Sequence, residues 1–369
     1  MPRINPDVET FARIKVIGCG GSGLNALDHM IKSKIHGVDF VGVNTDAQDL
    51  HHSLAPRKIH IGKNTTRGLG AGMEPSVGRQ AAEESREELT EVMRGTDMVF
   101  IACGFGGGTG TGAAPVIANI AKSEGALAVG VVTKPFTFEG SERARIAEEG
   151  LQRLKEAVDA MIVIPNDRLL NIIDRKTTFT NAFSMCDEIL RQAVQGISDL
   201  ITLPGIINVD FADIRSVLQN AGSALMGIGT SSGEDRAAEA AKLAISSPLL
   251  DVSIDGARGV LFSIAGGDDL TMWEVNEAAR VITEPIAKDA RVIFGAVKDE
   301  RLKKGEIKIT VVASGFGEPS VKPVSLFSAP VQKKEEFAPV ARPKIVQEPS
   351  PESTEEWDAI PAFLRRAKK

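Results

Sequence analysis

Three glycine-rich strings in the first third of the chain have the makings of anion cradles. The first, Gly18-Cys19-Gly20-Gly21-Ser22-Gly23, follows the apolar run Ile14-Lys15-Val16-Ile17 and matches G-x-G-x-x-G, with Asp46 lying 23 residues beyond Gly23. In a dinucleotide-binding turn, such a string lets backbone amides and a helix N-terminus receive a pyrophosphate. Tight turns without a ligand produce similar strings, so this match alone leaves both readings open. The second string runs Gly104-Phe105-Gly106-Gly107-Gly108-Thr109-Gly110-Thr111-Gly112. Its glycines let amides converge on an anion, and Thr109 and Thr111 add hydroxyl donors. The third, Gly68-Leu69-Gly70-Ala71-Gly72, offers one more cradle. Three such strings suit a triphosphate better than a single pyrophosphate. The pattern G-x-x-x-x-G-K-[ST] is absent from the sequence, which excludes a P-loop enzyme.

Acidic chemistry is concentrated elsewhere, in Asn208-Val209-Asp210-Phe211-Ala212-Asp213. If a helix begins near Asp210, spacing i and i+3 sets both carboxylates on one side of its first turn. Paired carboxylates orient a water or hold a cation that polarises it. Ordinary capping of a helix over 211–220 by Asn208 or Asp210 accounts for the same residues. All five histidines (His29, His36, His51, His52, His60) precede the second glycine string, so histidine base catalysis and a histidine metal site are both poorly supported.

These residues need a scaffold. From Arg13 to about Arg175, β-branched runs alternate with helical segments. Strands are expected at 14–17, 39–44, 98–103, 126–132 and 160–164, and helices at 23–35, 79–94, 115–123 and 142–157. That alternation predicts a parallel sheet with crossover helices, whose ligands bind at the carboxyl ends of the strands. A long helix over 178–202 follows, with Phe183, Cys186, Ile189, Leu190, Val194, Ile197 and Leu200 recurring at threes and fours. Leu203-Pro204-Gly205 stops it, and 206–316 reads as a second, smaller α/β unit with clear strands at 259–265 and 306–313. Residues 318–355 are proline-rich and poor in large apolar groups, the composition of a disordered linker. The final stretch, with Trp357, Ile360, Phe363 and Leu364 before Arg365, Arg366, Lys368 and Lys369, reads as a peptide that folds onto a partner.

The string Gly106–Gly112, GGGTGTG, resembles the signature of the tubulin/FtsZ family of GTPases. Asn208–Asp213 and the tail Ile360-Pro361-Ala362-Phe363-Leu364-Arg365 are similar to that family's cell-division members. The resemblance runs from about Ile14 to Gly317, plus the tail. It implies an α/β architecture with a Rossmann-like parallel-sheet GTPase domain (13–177), a long central helix (178–204) and a smaller α/β, GTPase-activating domain (205–317). An N-terminal extension (1–12), a disordered linker (318–355) and a partner-binding tail (356–369) complete it. It further implies that Gly21, Ser22, Gly23, Asn25, Gly108, Thr109 and Gly110 contact the phosphates, and that Ala71 and Gly72 lie near the γ-phosphate. Glu139 and Arg143 would hold the ribose, Asn166 and Asp187 would read the guanine edge, and Phe183 would stack on its face. Phe183 and Asp187 are i and i+4, hence neighbours on one helix face, although core packing accounts for Phe183 as well. Asn208, Asp210 and Asp213 would complete hydrolysis in the pocket of an adjacent subunit, so that a head-to-tail contact propagates into a filament. GTP and GDP are the implied ligands, with Mg²⁺ on the phosphates and K⁺ as an auxiliary cation. The implied partners are further copies of the chain and, through the tail, a membrane-tethering adaptor and division regulators at the bacterial mid-cell. Two features depart from the family's commonest pattern: Ser22 and Leu24 in and just after the first string, and Ala359, which separates Asp358 from Ile360 in the tail.

Composition narrows the field. At 369 residues the chain suits about two domains. Its 43 Lys+Arg against 49 Asp+Glu give a net charge of −6, which argues against a general nucleic-acid binder. Three cysteines (Cys19, Cys103, Cys186) without CxxC spacing argue against a disulfide framework or a zinc site. The start MPRINPDVETF has no basic-then-apolar signal pattern, so a cytoplasmic protein without direct membrane insertion is expected. Met98–Ala121 lacks charge and is long enough to span a bilayer, but its glycine-rich middle would leave backbone unsatisfied in lipid. The competing reading is an NAD(P)-dependent oxidoreductase that uses Gly18–Gly23 as its fingerprint. It leaves GGGTGTG unexplained.

Overall fold

The computed structural model of the chain describes residues 12–170, 177–203, 205–247, 253–299 and 301–316. The linker and tail, most of the N-terminal extension and Pro204 lie outside the described residues.

Strands β1 (Ile14–Cys19), β2 (Val38–Asn44), β3 (Arg57–His60), β4 (Met98–Gly104), β5 (Leu127–Lys134) and β6 (Ala160–Pro165) pair in parallel in the order β3-β2-β1-β4-β5-β6. Between them run α1 (Gly20–Lys32), α2 (Ala47–His52), α3 (Lys63–Thr66), α4 (Pro75–Glu84), α5 (Arg86–Met93), α6 (Thr109–Ser123) and α7 (Ser141–Ala157). A short α8 (Asn166–Leu169) precedes the long α9 (Phe179–Thr202), which Thr178 caps by accepting from the Asn181 amide. Then come β7 (Gly205–Ile207), α10 (Phe211–Leu218), β8 (Gly222–Ser232), α11 (Arg236–Ile245), β9 (Gly259–Gly266), α12 (Met272–Thr283), β10 (Arg291–Lys298) and β11 (Glu306–Ser314).

The second group of strands joins the first. Ala160, Met161 and Ile162 of β6 pair in parallel with Gly222, Ser223 and Ala224 of β8, giving one 11-stranded sheet that ends β8-β11-β9-β10-β7. Strands covered on both faces read as continuous apolar runs, and β4 is the clearest case, with Met98–Cys103 wholly buried. On one face, α1 and α9 pack Leu27, Met30, Leu190, Val194 and Ile197 against β5, β6 and β8 in a core shared by both halves. On the other face, α4–α7 cover the first six strands, and α11 and α12 cover the last ones.

Four expectations are corrected. Helix α1 starts at Gly20 rather than 23, and α6 at Thr109 rather than 115, so each glycine string supplies the helix's own first turn. The single helix expected over 79–94 is two, α4 and α5, broken at Ser85. The cause is an anchor: Glu84 accepts from the Asn64 and Thr65 amides, and Ser85 Oγ accepts from the Gly62 amide. The helix expected to reach 220 ends at Leu218, because Gln219 turns to an extended backbone (φ −66°, ψ 124°) before Asn220 takes a left-handed φ of 53°. The uncharged stretch 98–121 is a core strand plus most of a core helix, and no helix among the described residues is long and apolar enough to cross a membrane.

Candidate functional site

At the carboxyl edge of the parallel strands lies a cleft of about 360 Å³. Two helices point their N-termini into it without a side-chain cap: neither Cys19 before α1 nor Gly108 before α6 makes one. Uncapped first-turn amides and the helix dipole together form an anion site. The two first turns touch, since a Cβ on Gly20 would lie 3.1 Å from the Gly110 nitrogen. Gly20 also has φ +73°, which favours glycine. Beside them, the Thr45 and Thr109 hydroxyls hydrogen-bond at 2.6 Å, and Thr111 Oγ1 accepts from the Gly106 amide at 3.0 Å.

Further along the edge, the turn after β5 places Glu139, whose carboxylate accepts from the Phe136 amide at 2.9 Å and pairs with Arg143 at 3.0 Å. Asn166 follows β6 and is buried, its Oδ1 lacking a hydrogen-bond partner. Helix α9 closes this end with Phe183, Cys186 and Asp187; Phe183 meets Phe136 edge-on at 5.4 Å. Burial pushes the Asp187 carboxyl up to about 6, against the opposing pull of His29. A carboxyl so perturbed, lining the same cleft as an orphaned amide oxygen, marks a place built for a polar ligand.

Of the residues singled out from sequence, Gly21, Ser22, Asn25, Gly108, Thr109, Gly110, Glu139, Arg143, Asn166, Phe183 and Asp187 line this cleft. Gly23, Ala71 and Gly72 are not among its lining residues. Gly23 packs α1 onto β4, since a Cβ there would sit 2.4 Å from the Ala102 carbonyl oxygen. Ala71 packs against Gly108, 2.8 Å from where a Cβ on Gly108 would lie. Asp46 caps α2 by accepting from the Gln48 and Asp49 amides. That local role accounts for the acid on which the dinucleotide fingerprint relied. Sequence reasoning missed Thr133 and Pro135, which line the cleft from the end of β5. Their signal was positional: they end a strand on the ligand-binding edge.

Asn208, Asp210 and Asp213 stand apart from the cleft, and all three are exposed. Asn208 Oδ1 accepts from the Gly205 amide at 2.7 Å, closing the turn before α10. Asp210 occupies the N-cap position of α10 but makes no side-chain cap bond, and Asp213 lies in the first turn. Capping therefore leaves both aspartates unexplained.

The family description "Tubulin/FtsZ family, GTPase domain" matches residues 13–174, and "FtsZ family, C-terminal domain" matches 222–317. An FtsZ dimer from M. jannaschii, solved empty, is 48% identical with a TM-score of 0.79, covering 83% of this chain and 89% of that one. The chain belongs to the tubulin/FtsZ family. A single-substitution FtsZ variant from the same organism is 47% identical with a TM-score of 0.79, covering 83% of this chain and 92% of that one. A CetZ protein from Haloferax volcanii, in a GTPγS-bound protofilament, shares the fold at 21% identity and a TM-score of 0.72, covering 83% of this chain and 94% of that one. Family membership makes the chain a GTPase that binds GTP and GDP, and the FtsZ-type second domain extends the match across both halves of the sheet.

Proposed function

We propose that the chain is a division-filament GTPase whose hydrolytic site is completed between successive copies. One observation carries the reading: the chain has a phosphate cradle and an exposed acid pair, but not in the same place. Gly21, Ser22, Asn25, Gly108, Thr109 and Gly110 would hold the phosphates, with Ala71 and Gly72 reaching the γ-phosphate from the neighbouring turn. Glu139 and Arg143 would take the ribose. Asn166 and Asp187 would read guanine, whose N1 and N2 donors adenine lacks, with Phe183 against the ring. Asp210 and Asp213, positioned by Asn208, would enter the cleft of the next copy and orient the attacking water, since phosphoryl transfer is chiefly positioning and charge stabilisation.

The M. jannaschii FtsZ was solved as a dimer, which supports self-association here. A head-to-tail contact joins unlike faces and does not close, so it extends into a filament. The named relatives are archaeal, and the bacterial mid-cell setting is carried by the resemblance of Asn208–Asp213 and of the tail motif. The adaptor-binding role of 356–369 belongs to the same reading.

The cleft's glycine strings bring amides and hydroxyls, and Arg143 is already paired with Glu139. That donor set suits Mg²⁺ arriving on the phosphate oxygens, with K⁺ auxiliary, where the cation would offset their charge. The test is GTP turnover per molecule against protein concentration, with Asp213→Ala alongside. A threshold followed by rising activity, lost at least tenfold in a variant that still assembles, is expected. Constant turnover without a threshold, or full activity in the assembled variant, refutes the shared site.

A further inference from the structure

Helix α6 has the phosphate cradle at its first turn, and α10 is fastened at its other end. The Arg215 side chain leaves α10, lies 5.5 Å over the Phe211 ring and donates from Nη2 to the Gly125 carbonyl at 2.7 Å. Gly125 belongs to the turn that ends α6, its amide donating to the Lys122 carbonyl. A second tether runs parallel to the first. The Asn220 amide, just past α10, donates to Asp159 at 3.4 Å, and Asp159, itself buried, pairs with Lys122 of α6 at 3.4 Å. Arg291 of β10 holds the opposite flank by donating to the Ser216 carbonyl at 3.2 Å. Arg215 Nε is buried without a hydrogen-bond partner. The guanidinium is therefore placed by the ring and the carbonyl, not saturated by an ion pair.

We propose that Arg215 is a positioning residue for hydrolysis: it fixes the Asp210–Asp213 turn to the rod whose other end receives the phosphates. This rests on the shared-site reading above. The 15 residues of α6 span about 22 Å at 1.5 Å per residue. The rod thus sets the separation between the half-site that a copy offers upward and the half-site it offers downward. Loosening Arg215 frees the acid turn to tilt while the cradle and the apolar anchors Ile214, Val217 and Leu218 remain. The planar guanidinium can stack and donate at once, whereas a lysine ammonium cannot do both in that geometry.

The experiment uses the full chain with GTP and Mg²⁺ and compares wild type with Arg215→Lys and Phe211→Leu. Nucleotide affinity is measured below the assembly threshold, sedimented polymer above it, and turnover is expressed per sedimented subunit. Turnover per assembled subunit should fall at least tenfold in Arg215→Lys and in the same direction in Phe211→Leu, with GDP affinity within twofold of wild type. If Arg215→Lys does not fold, Phe211→Leu carries the test. Unchanged turnover per assembled subunit overturns the proposal, as does a loss of polymer that accounts for all the lost activity. Wild-type turnover without a threshold, surviving Asp213→Ala, removes the shared-site reading and this proposal together. A normal wild type beside unaffected variants removes this proposal alone.

Discussion

At the scale of the residue, Asp187 combines burial with a ligand-facing position. Its folded value of about 6 lies above the ordinary 3.8, so the unliganded protein binds more protons there than the unfolded chain does. The resulting stabilisation is complete below the ordinary value and is lost as pH rises through about 6. On the proposed reading, in which Asp187 accepts from guanine's donors, binding requires the ionised form and must expel a proton below about 6. GDP affinity should weaken by up to about tenfold per pH unit there. A titration from neutral pH down to 5 checks this, with Asp187→Asn giving a flatter, weaker profile; a flat wild-type profile contradicts it. Residue type and spacing made most of the cleft legible: glycine strings after strands announce close approach, and Phe183 and Asp187 share a helical face. Gly23 shows where that reading stops. A glycine needed for a ligand and one needed for helix-on-strand contact look alike in sequence, and only the 2.4 Å approach to the Ala102 carbonyl tells them apart.

At the scale of the element, β1, β2, β4, β5, β6, β9 and β11 were legible because apolar runs leave little alternative, whereas β3, β7, β8 and β10, short or interrupted by glycine and polar residues, were not singled out. The helix starts were not legible. Glycine disfavours helix in a free chain by about 1 kcal/mol per residue, yet tertiary contact between the first turns of α1 and α6 overrides that preference. Pro115 looks like a first-turn proline but lies inside α6. The second half shows elements joined by charge. Buried Arg236 of α11 donates to Glu274 of α12 at 2.6 Å and to Asp269 at 2.7 Å. Those bonds from Arg236 hold the Glu274 carboxyl down at about 2, against the cost of burial. Its contribution to stability is therefore full above the ordinary carboxylate value and is lost only as pH falls through about 2. Arg236→Leu leaves Glu274 buried and unpaired and should cost about 3–5 kcal/mol, read as a lower denaturation midpoint. Adding Glu274→Leu should restore much of the loss. A single variant as stable as wild type would show that the pair does not hold α11 and α12 together.

At the scale of the whole molecule, the parallel pairing of five of the first six strands was implicit in the alternation of strand and helix, and β3 at the edge was not. Nor was the seam, because no periodicity announces that β6 will accept β8 after an intervening long helix, a short strand and another helix. Among the described residues, three strand-register pairs, Ala160–Ile162 with Gly222–Ala224, join the two halves of the sheet. The seam also bears on synthesis. As the chain emerges N-terminus first, β6 can pair with β5 long before β8 exists, and meanwhile exposes an apolar edge with unmet backbone donors and acceptors. Such an edge templates aggregation. A nascent or truncated chain ending at residue 203 should accumulate in the insoluble fraction or on chaperones, while one extended through β11 should be released folded. Comparable solubility of the two lengths would mean that the first six strands stand alone. The protein is thus most vulnerable during translation, between completion of β6 and arrival of β8, whatever its stability once finished.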